Sequence, residues 1–322
     1  MILIEWTPEG DDMIRISTAD IPLEHQWFGY VLSMSSLKFA CASQLGGYCK
    51  PSFSEITLSP EMFENSTWPP NPDADVKLYW TETDEAEATL LFDGTATLDT
   101  YDRHGISYRI LMPEFDDTTA LSTIFADTLV DVMTDLCGDL GLLIDTTYAR
   151  SPSPDVDYTT EQDGQTIDLM DAMCEFFTHG FYIEDGTLYL YDMLGATTAQ
   201  QLDELDFAPS SYRRGETLSL VKCNAKSSPG SNPNGEEYDL GTRYSAAGDD
   251  NAAACANAVI ALEQDIAEVN MPITETLPRP LSYVTMYDES TIKPTTFAGK
   301  VISIIYNFDS ELAQLEISGA AS

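Results

Sequence analysis

The chain has 322 residues, of which 54 are Asp or Glu and only 15 are Lys or Arg, giving a formal net charge of −39. A field this negative excludes a nucleic-acid binder that works through a basic surface, and it opposes docking on an anionic membrane. With 43% hydrophobic and 10% aromatic residues the chain carries too much apolar surface for intrinsic disorder, so it folds, and two or three domains are expected at this length.

The amino terminus, Met1 to Trp6, is apolar but is stopped by Pro8, Glu9, Asp11 and Asp12. It lacks the basic flank of a secretory signal, and no later window holds 18 apolar residues without charge, so the expectation is a soluble chain not exported by a cleaved signal. Short β-branched and aromatic runs follow: Met13–Ile16, Phe28–Leu32, Val76–Trp80, Thr89–Phe92 and Ile106–Ile110. Separated by turn-forming clusters, they predict a small barrel or sandwich over residues 1–113. Asp93-Gly94, between Leu90-Leu91-Phe92 and Thr95-Ala96-Thr97-Leu98, predicts a tight hairpin turn.

The pattern changes after Pro113. Leu121, Ile124, Phe125, Leu129, Val132, Met133, Leu136 and Cys137 recur at helical spacing, predicting a helix capped by Thr118 or Thr119 and ended by Gly138 and Gly141. A strand Leu142–Asp145, a loop through Ser151-Pro152-Ser153-Pro154, and a second amphipathic helix Thr166–Thr178 stopped by His179-Gly180 complete the helical part. Phe181–Tyr191 then alternates around Asp185-Gly186 as a hairpin. Residues 114–194 therefore read as an α+β unit.

Residues 195–322 return to strands. Thr217–Ala225 is one, a polar loop Ser227–Gly235 is read as exposed and mobile, and Asn251–Val269 is predicted helical, with Cys255, Val259, Leu262, Ile266 and Val269 packing on their own domain. Gly299–Tyr306 and Leu312–Ser318 are terminal strands around Asp309-Ser310. The fold class is thus mainly β with an α+β insert: two small β-barrel or split-barrel domains, 1–113 and 195–322, flanking an α+β domain at 114–194.

No chemistry is demanded by the motifs. His25, His104 and His179 lie in unrelated contexts, and His179 reads as a cation at a helix carboxyl end or a surface residue. Nucleophile elbows, phosphate-binding loops and dinucleotide fingerprints are missing. Carboxylates are so abundant that no particular pair is singled out as a glycosidase dyad. Asp155-Val156-Asp157-Tyr158-Thr159 alternates oxygen ligands as a calcium loop does, but Thr160 stands where the loop needs glycine. Six cysteines are too few for a disulfide scaffold; Cys41 and Cys49 could join others around zinc or an iron–sulfur cluster, while Cys137, Cys174 and Cys255 sit on apolar helix stripes as small hydrophobes. Asn65-Ser66-Thr67 matches a glycosylation acceptor that has no meaning without export. No catalytic, cofactor-binding or metal-binding residue is assigned, no cofactor is expected, and the protein is read as not an enzyme.

The run Thr166–Leu190, a helix followed by Gly180, an aromatic strand, a tight turn and a Leu-Tyr strand, resembles a segment of bacteriophage tail and baseplate hub proteins, the tail-tip hubs similar to late control protein D. Phe297–Phe308 leading to Leu315–Gly319 resembles their terminal barrel strands, and Pro278-Arg279-Pro280 and Tyr283–Asp288 fit as well. The likeness covers roughly residues 115–320, and the first 113 residues fit the first β-barrel in pattern. What it implies is a homotrimeric ring of pseudo-sixfold β-barrels in the virion, assembled in the host cytoplasm. Such a ring joins the tail tube, tape-measure and distal tail proteins to a spike or fibre, lets genome DNA pass without specific binding, does not insert in a membrane, and has no active site. The acidity departs from the family pattern, and no lysozyme-like segment is fused.

Between Lys77 and Lys222 the only cations are Arg103, Arg109, Arg150, Arg213 and Arg214, so the negative field extends beyond a Debye length at modest salt. Either carboxylates solvate the chain in a salty habitat, or a channel wall must repel phosphate. The alternatives to a hub are a hexameric distal tail protein and a receptor- or carbohydrate-binding β protein using Trp68, Tyr79 and Trp80 as a sugar platform.

Overall fold

The computed structural model describes residues 1–10, 12–18, 28–41, 45–63, 72–81, 88–111, 115, 117–120, 123–160, 164–195, 200–202, 208–213, 218–223, 226–230, 233–239, 265–274, 277–288 and 295–321. His25, Asn65-Ser66-Thr67, Trp68 and Cys255 lie outside them. Among the described residues the architecture is mainly β, as the sequence predicts, with two short α-helices.

The first sheet has seven strands, in the order Ile14–Ser17, Ile2–Pro8, Asp73–Trp80, Thr89–Tyr101, Ile106–Leu111, Glu55–Leu58 and Val31–Met34, all paired antiparallel. A bridge between Ile16 and Phe28 brings the first strand toward the segment that enters the last, so the sheet is nearly closed. Alternation puts Ile4, Trp6, Val76, Leu78, Ala96, Tyr108 and Ile110 inside. The Trp6 and Tyr108 rings meet edge to face at 4.5 Å.

The predicted hairpin at Asp93-Gly94 does not form, because Thr89–Tyr101 is one continuous strand. Asp93 pairs with Lys77 and holds its ammonium at 3.0 Å. A Cβ on Gly94 would lie 2.4 Å from Cζ of Phe92. The glycine thus makes room for a core ring, and the Asp-Gly signal has a packing cause rather than a turn cause.

Likewise, the predicted helix over 121–137 is half strand. Ile124–Thr128 pairs with Asp155–Thr159, and α1 (Leu129–Asp139) starts only after Thr128, whose side chain accepts from the Asp131 amide as N-cap. Both partners are β-favouring, and ladder pairing outweighs the helical spacing of Ile124 and Phe125. The oxygen-rich 155–159 segment is thereby a strand, not a loop. Gly138 lies inside α1 with nothing near its Cβ position, whereas Gly141, at φ 71°, follows the helix end. Gly138→Ala is expected to raise stability by about 0.5–1 kcal/mol, read as a higher denaturation midpoint, since glycine costs that much in a helix interior.

α2 (Thr166–Phe176) and the hairpin His179–Glu184/Thr187–Asp192 form as expected, with Asp185 and Gly186 both at positive φ, as a twist-compatible two-residue turn requires. Leu143–Tyr148 pairs parallel to Thr187–Asp192. The helices bury Leu129, Val132, Met133, Met170, Met173, Cys174 and Phe176.

The third sheet runs Gln200–Leu202, Tyr283–Asp288, Thr295–Asn307, Leu312–Ala321, Asp265–Pro272, Ala208–Arg213. Asp265–Val269, predicted to end a helix, is strand here; residues 251–264 lie outside the described chain. Ile266, Ala267 and Val269 are paired on both sides, to 208–213 and to 312–321, so each side chain is buried by a ladder rather than by a helical seam. The polar stretch read as a mobile loop begins as the strand Lys226–Pro229, paired to Leu218–Cys223.

Two short pieces of the amino-terminal third leave the first sheet. Leu37–Ala40 pairs with Thr295–Asn307 and with Lys50–Ser52 in the third sheet, while Gly47–Tyr48 pairs parallel to His179–Glu184 in the middle one. The strands Leu37–Ala40 and Gly47–Tyr48 therefore connect the three largest of the six sheets among the described residues.

Candidate functional site

The fastening point is built on glycine. Gly46 and Gly47 stand at φ 113° and 77°, which side chains rarely adopt. A Cβ on Gly46 would lie 2.1 Å from the His179 carbonyl oxygen, and one on Gly47 2.4 Å from Asp171 Oδ1. The chain passes flush against the start of the 179–184 strand and the flank of α2. Asp171 accepts from the Tyr48 amide at 2.5 Å, and the Tyr48 ring stacks on Phe181 at 4.9 Å, 4° from parallel.

Behind this contact lies a buried polar cluster. The Arg150 guanidinium donates to Asp192 Oδ1 at 2.5 Å and to the Thr178 hydroxyl at 2.9 Å, and the Leu194 amide also donates to Asp192. Burial works against the Asp192 charge, but the Arg150 hydrogen bond and charge, with the Leu194 amide and His179, hold its carboxyl below the usual range. Lys300 is 3% exposed, and its ammonium has no hydrogen-bond partner among the described residues. It lies 5.6 Å and 5.8 Å from the ring centres of Tyr191 and Tyr283, where cation–π attraction replaces part of its lost hydration. Burial pulls its pKa down to about 8, with Asp192 opposing.

His179 belongs to this cluster and corrects the sequence reading: it is fully buried, neither a surface residue nor a helix-end cation. Its Nδ1 donates to the Phe177 carbonyl at 2.9 Å, and Nε2 accepts from the Arg150 amide at 3.4 Å. A second proton would place N–H against N–H. Burial first, then the Arg150 charge, push its pKa down to about 4. Because the folded value lies below the unfolded 6.5, stability is full above pH 6.5 and falls as pH drops toward 4. The expected acid loss is about 3 kcal/mol. Denaturation midpoints of the wild type and His179→Gln across this window should diverge by that amount.

Along the hairpin, Tyr182 stacks on Tyr189 at 5.0 Å and Tyr191 on Tyr148 at 4.7 Å. Arg279 caps this aromatic row, 5.9 Å from the Tyr189 ring centre and 2.9 Å from Glu184. Burial raises the Glu184 pKa against the pull of Arg279. Tyr182, Glu184 and Arg279 wall a cleft of about 470 Å³, with Phe39, Trp80, Ile273 and Tyr306.

Nothing in this geometry assembles a nucleophile with a base. The arginines are engaged by carboxylates, His179 is spent on two backbone groups, and no three His, Cys, Asp or Glu converge as metal ligands among the described residues. His104 is an exposed turn residue whose Nε2 accepts from Arg103. Trp80 is 4% exposed, and Tyr79, partly buried, donates its hydroxyl to Glu5. No described helix is long and apolar enough to cross a membrane. What the arrangement does is hold three sheets in fixed relation. Sequence reading missed it, although Gly46-Gly47 ahead of aromatic Tyr48 and a lone lysine in the apolar strand Gly299–Tyr306 were the signals present.

The fold resembles that of a 43 kDa tail protein of prophage MuSo2 from Shewanella oneidensis, which superposes with a TM-score of 0.59 over 98% of this chain and 95% of that one at 13% identity. The chain has a phage tail-protein fold. The same fold is found in a tail protein from Neisseria meningitidis MC58, with TM-score 0.55, 11% identity and coverage of 98% and 95%. Prophage tail protein gp18 from Listeria monocytogenes EGD-e gives 0.54, 9%, 98% and 94%. No family model and no curated protein matches the sequence. The likeness to these proteins, at 9–13% identity, is therefore one of fold.

Proposed function

We propose that this chain is a structural subunit of a phage-type tail tip, the hub ring that joins the tail tube and distal tail protein to a spike or fibre. The observation that carries the reading is the tail-protein fold extending over nearly the full length of both chains. The site supports it: a rigid three-sheet body without a catalytic constellation suits a ring component that transmits load. Three copies form the ring, built in the host cytoplasm and carried in the virion, with the tape-measure protein as a further neighbour. The imbalance of 54 acidic against 15 basic residues suits a channel wall that repels phosphate, so genome DNA passes without being held.

Electron microscopy of the native particle together with its mass tests this. Threefold symmetry with acidic residues facing the lumen is expected. Sixfold symmetry would assign the chain to the distal tail ring instead, and a monomer that retains glycans would make it a receptor-binding protein. A neutral or basic lumen beneath an acidic outer face would leave solvation as the reason for the charge.

A further inference from the structure

The antiparallel ladder between Leu37–Ala40 and Lys50–Ser52 pairs Lys38 with Ser52, Phe39 with Pro51 and Ala40 with Lys50. One step further the register sets Cys41 opposite Cys49. Their amides turn away from each other: that of Cys41 donates to Ile302 at 3.0 Å, and that of Cys49 to Phe181 at 2.7 Å. The two cysteines therefore occupy a non-hydrogen-bonded cross-strand position, where Cα atoms approach to about 4.5 Å and side chains are closest. That spacing lies inside the range a disulfide spans. Both thiols are free, and that of Cys41 is within hydrogen-bonding reach of Cys49.

We propose that Cys41 and Cys49 are a redox-sensitive pair that oxidises to a cross-strand disulfide and locks the 42–48 connection carrying the Gly46-Gly47 fastening. The roles of the two thiols differ. Cys41 is partly exposed and Cys49 fully buried, so Cys41 meets the oxidant. As thiolate it attacks a low-molecular-weight disulfide, forming a mixed disulfide and expelling one thiolate. Cys49, deprotonated, then attacks the Cys41 sulfur, forming the protein disulfide and expelling the second. The two protein thiols lose two electrons and two protons, and the small disulfide gains them as two thiols. Hydrogen bonding to Cys49, burial, and the nearby Asp171 and Glu175 hold the Cys41 thiol well above its ordinary pKa, so little thiolate is present at neutral pH and oxidation is slow.

The test is incubation of the folded full-length chain with oxidised glutathione, followed by intact mass and peptide mapping. The expected product is about 2 Da lighter, with Cys41 and Cys49 peptides joined, and its melting temperature is raised by about 5 °C, from closure of a short loop in a chain of this size. Cys41→Ser and, separately, Cys49→Ala should abolish both changes, while Cys137→Ser should leave them intact. A stable glutathione adduct on Cys41, an unchanged mass, or a bridge between other cysteines overturns the proposal. These readouts do not depend on ring symmetry, so they stand or fall apart from the assembly reading.

Discussion

Gly46→Ala is expected to lower stability by about 3–4 kcal/mol and to loosen the amino-terminal third from the middle sheet. Two costs combine. A left-handed backbone costs a residue with Cβ about 1–2 kcal/mol, and at φ 113° alanine has no relaxed alternative nearby. The new methyl also lands 2.1 Å from the His179 carbonyl oxygen, with the carbonyl carbon and the Gly180 nitrogen at 2.6 and 2.9 Å. All three are backbone atoms of a paired strand, so the neighbour cannot swing aside as a side chain could, and forced displacement in a packed interior costs about 1–3 kcal/mol. Gly10→Ala is the matched control: φ is also positive, at 81°, but nothing lies within 4 Å, so only the backbone cost of about 1 kcal/mol remains. Urea midpoints of the two variants separate the effects. Limited proteolysis should show Gly46→Ala cleaved faster near residues 42–48. Equal losses in the two variants would mean that the chain does not press on the His179 backbone.

Where one element decides its own conformation, the sequence was legible. The 181–191 hairpin forms around Asp185-Gly186 because alternation and turn chemistry agree within a dozen residues, and α2 forms because its apolar stripe meets a stop at its end. Where a distant partner decides, local pattern misled. Ile124 and Phe125 fit a helical stripe, yet the strand 155–159 captures them. Asp93-Gly94 fits a turn, yet Lys77 opposite and the Phe92 ring beside it explain both residues within a strand. Ile266 and Val269 fit a seam, yet ladders on both sides claim them. The fastening site was hidden for the same reason: Gly46, Asp171 and His179 meet only through pairing across more than a hundred residues. The charge of −39 acquires a structural counterpart as well. Among the described residues, Lys77, Arg109, Arg150, Arg213, Lys222 and Arg279 are each bound to a carboxylate and Lys300 is buried, so these seven of the fifteen cations are engaged within the chain.

Asp192→Ala should be the most damaging single change in the polar cluster, lowering stability by about 3–5 kcal/mol, the usual result of stranding buried charge. Arg150 would lose its carboxylate, and Lys300 would lose the Asp192 charge that supports its ammonium form. The arginine side chain is 28% exposed and can turn toward water. Lys300 is 3% exposed and cannot. The larger part of the loss therefore belongs to Lys300, and the sign of its titration shows how to test this. Its folded pKa, about 8, lies below the ordinary 10.5, so its burial penalty is complete below pH 8 and vanishes above 10.5. The wild type should gain stability across that interval, and Lys300→Met should abolish the gain while raising stability at pH 7 by up to about 3 kcal/mol. In a double-mutant cycle, Asp192→Ala combined with Lys300→Met should recover most of what Asp192→Ala alone loses, because no buried ammonium is left without its carboxylate. Additive losses would instead place the cost on Arg150, and the buried lysine would then be held by its tyrosines rather than by Asp192.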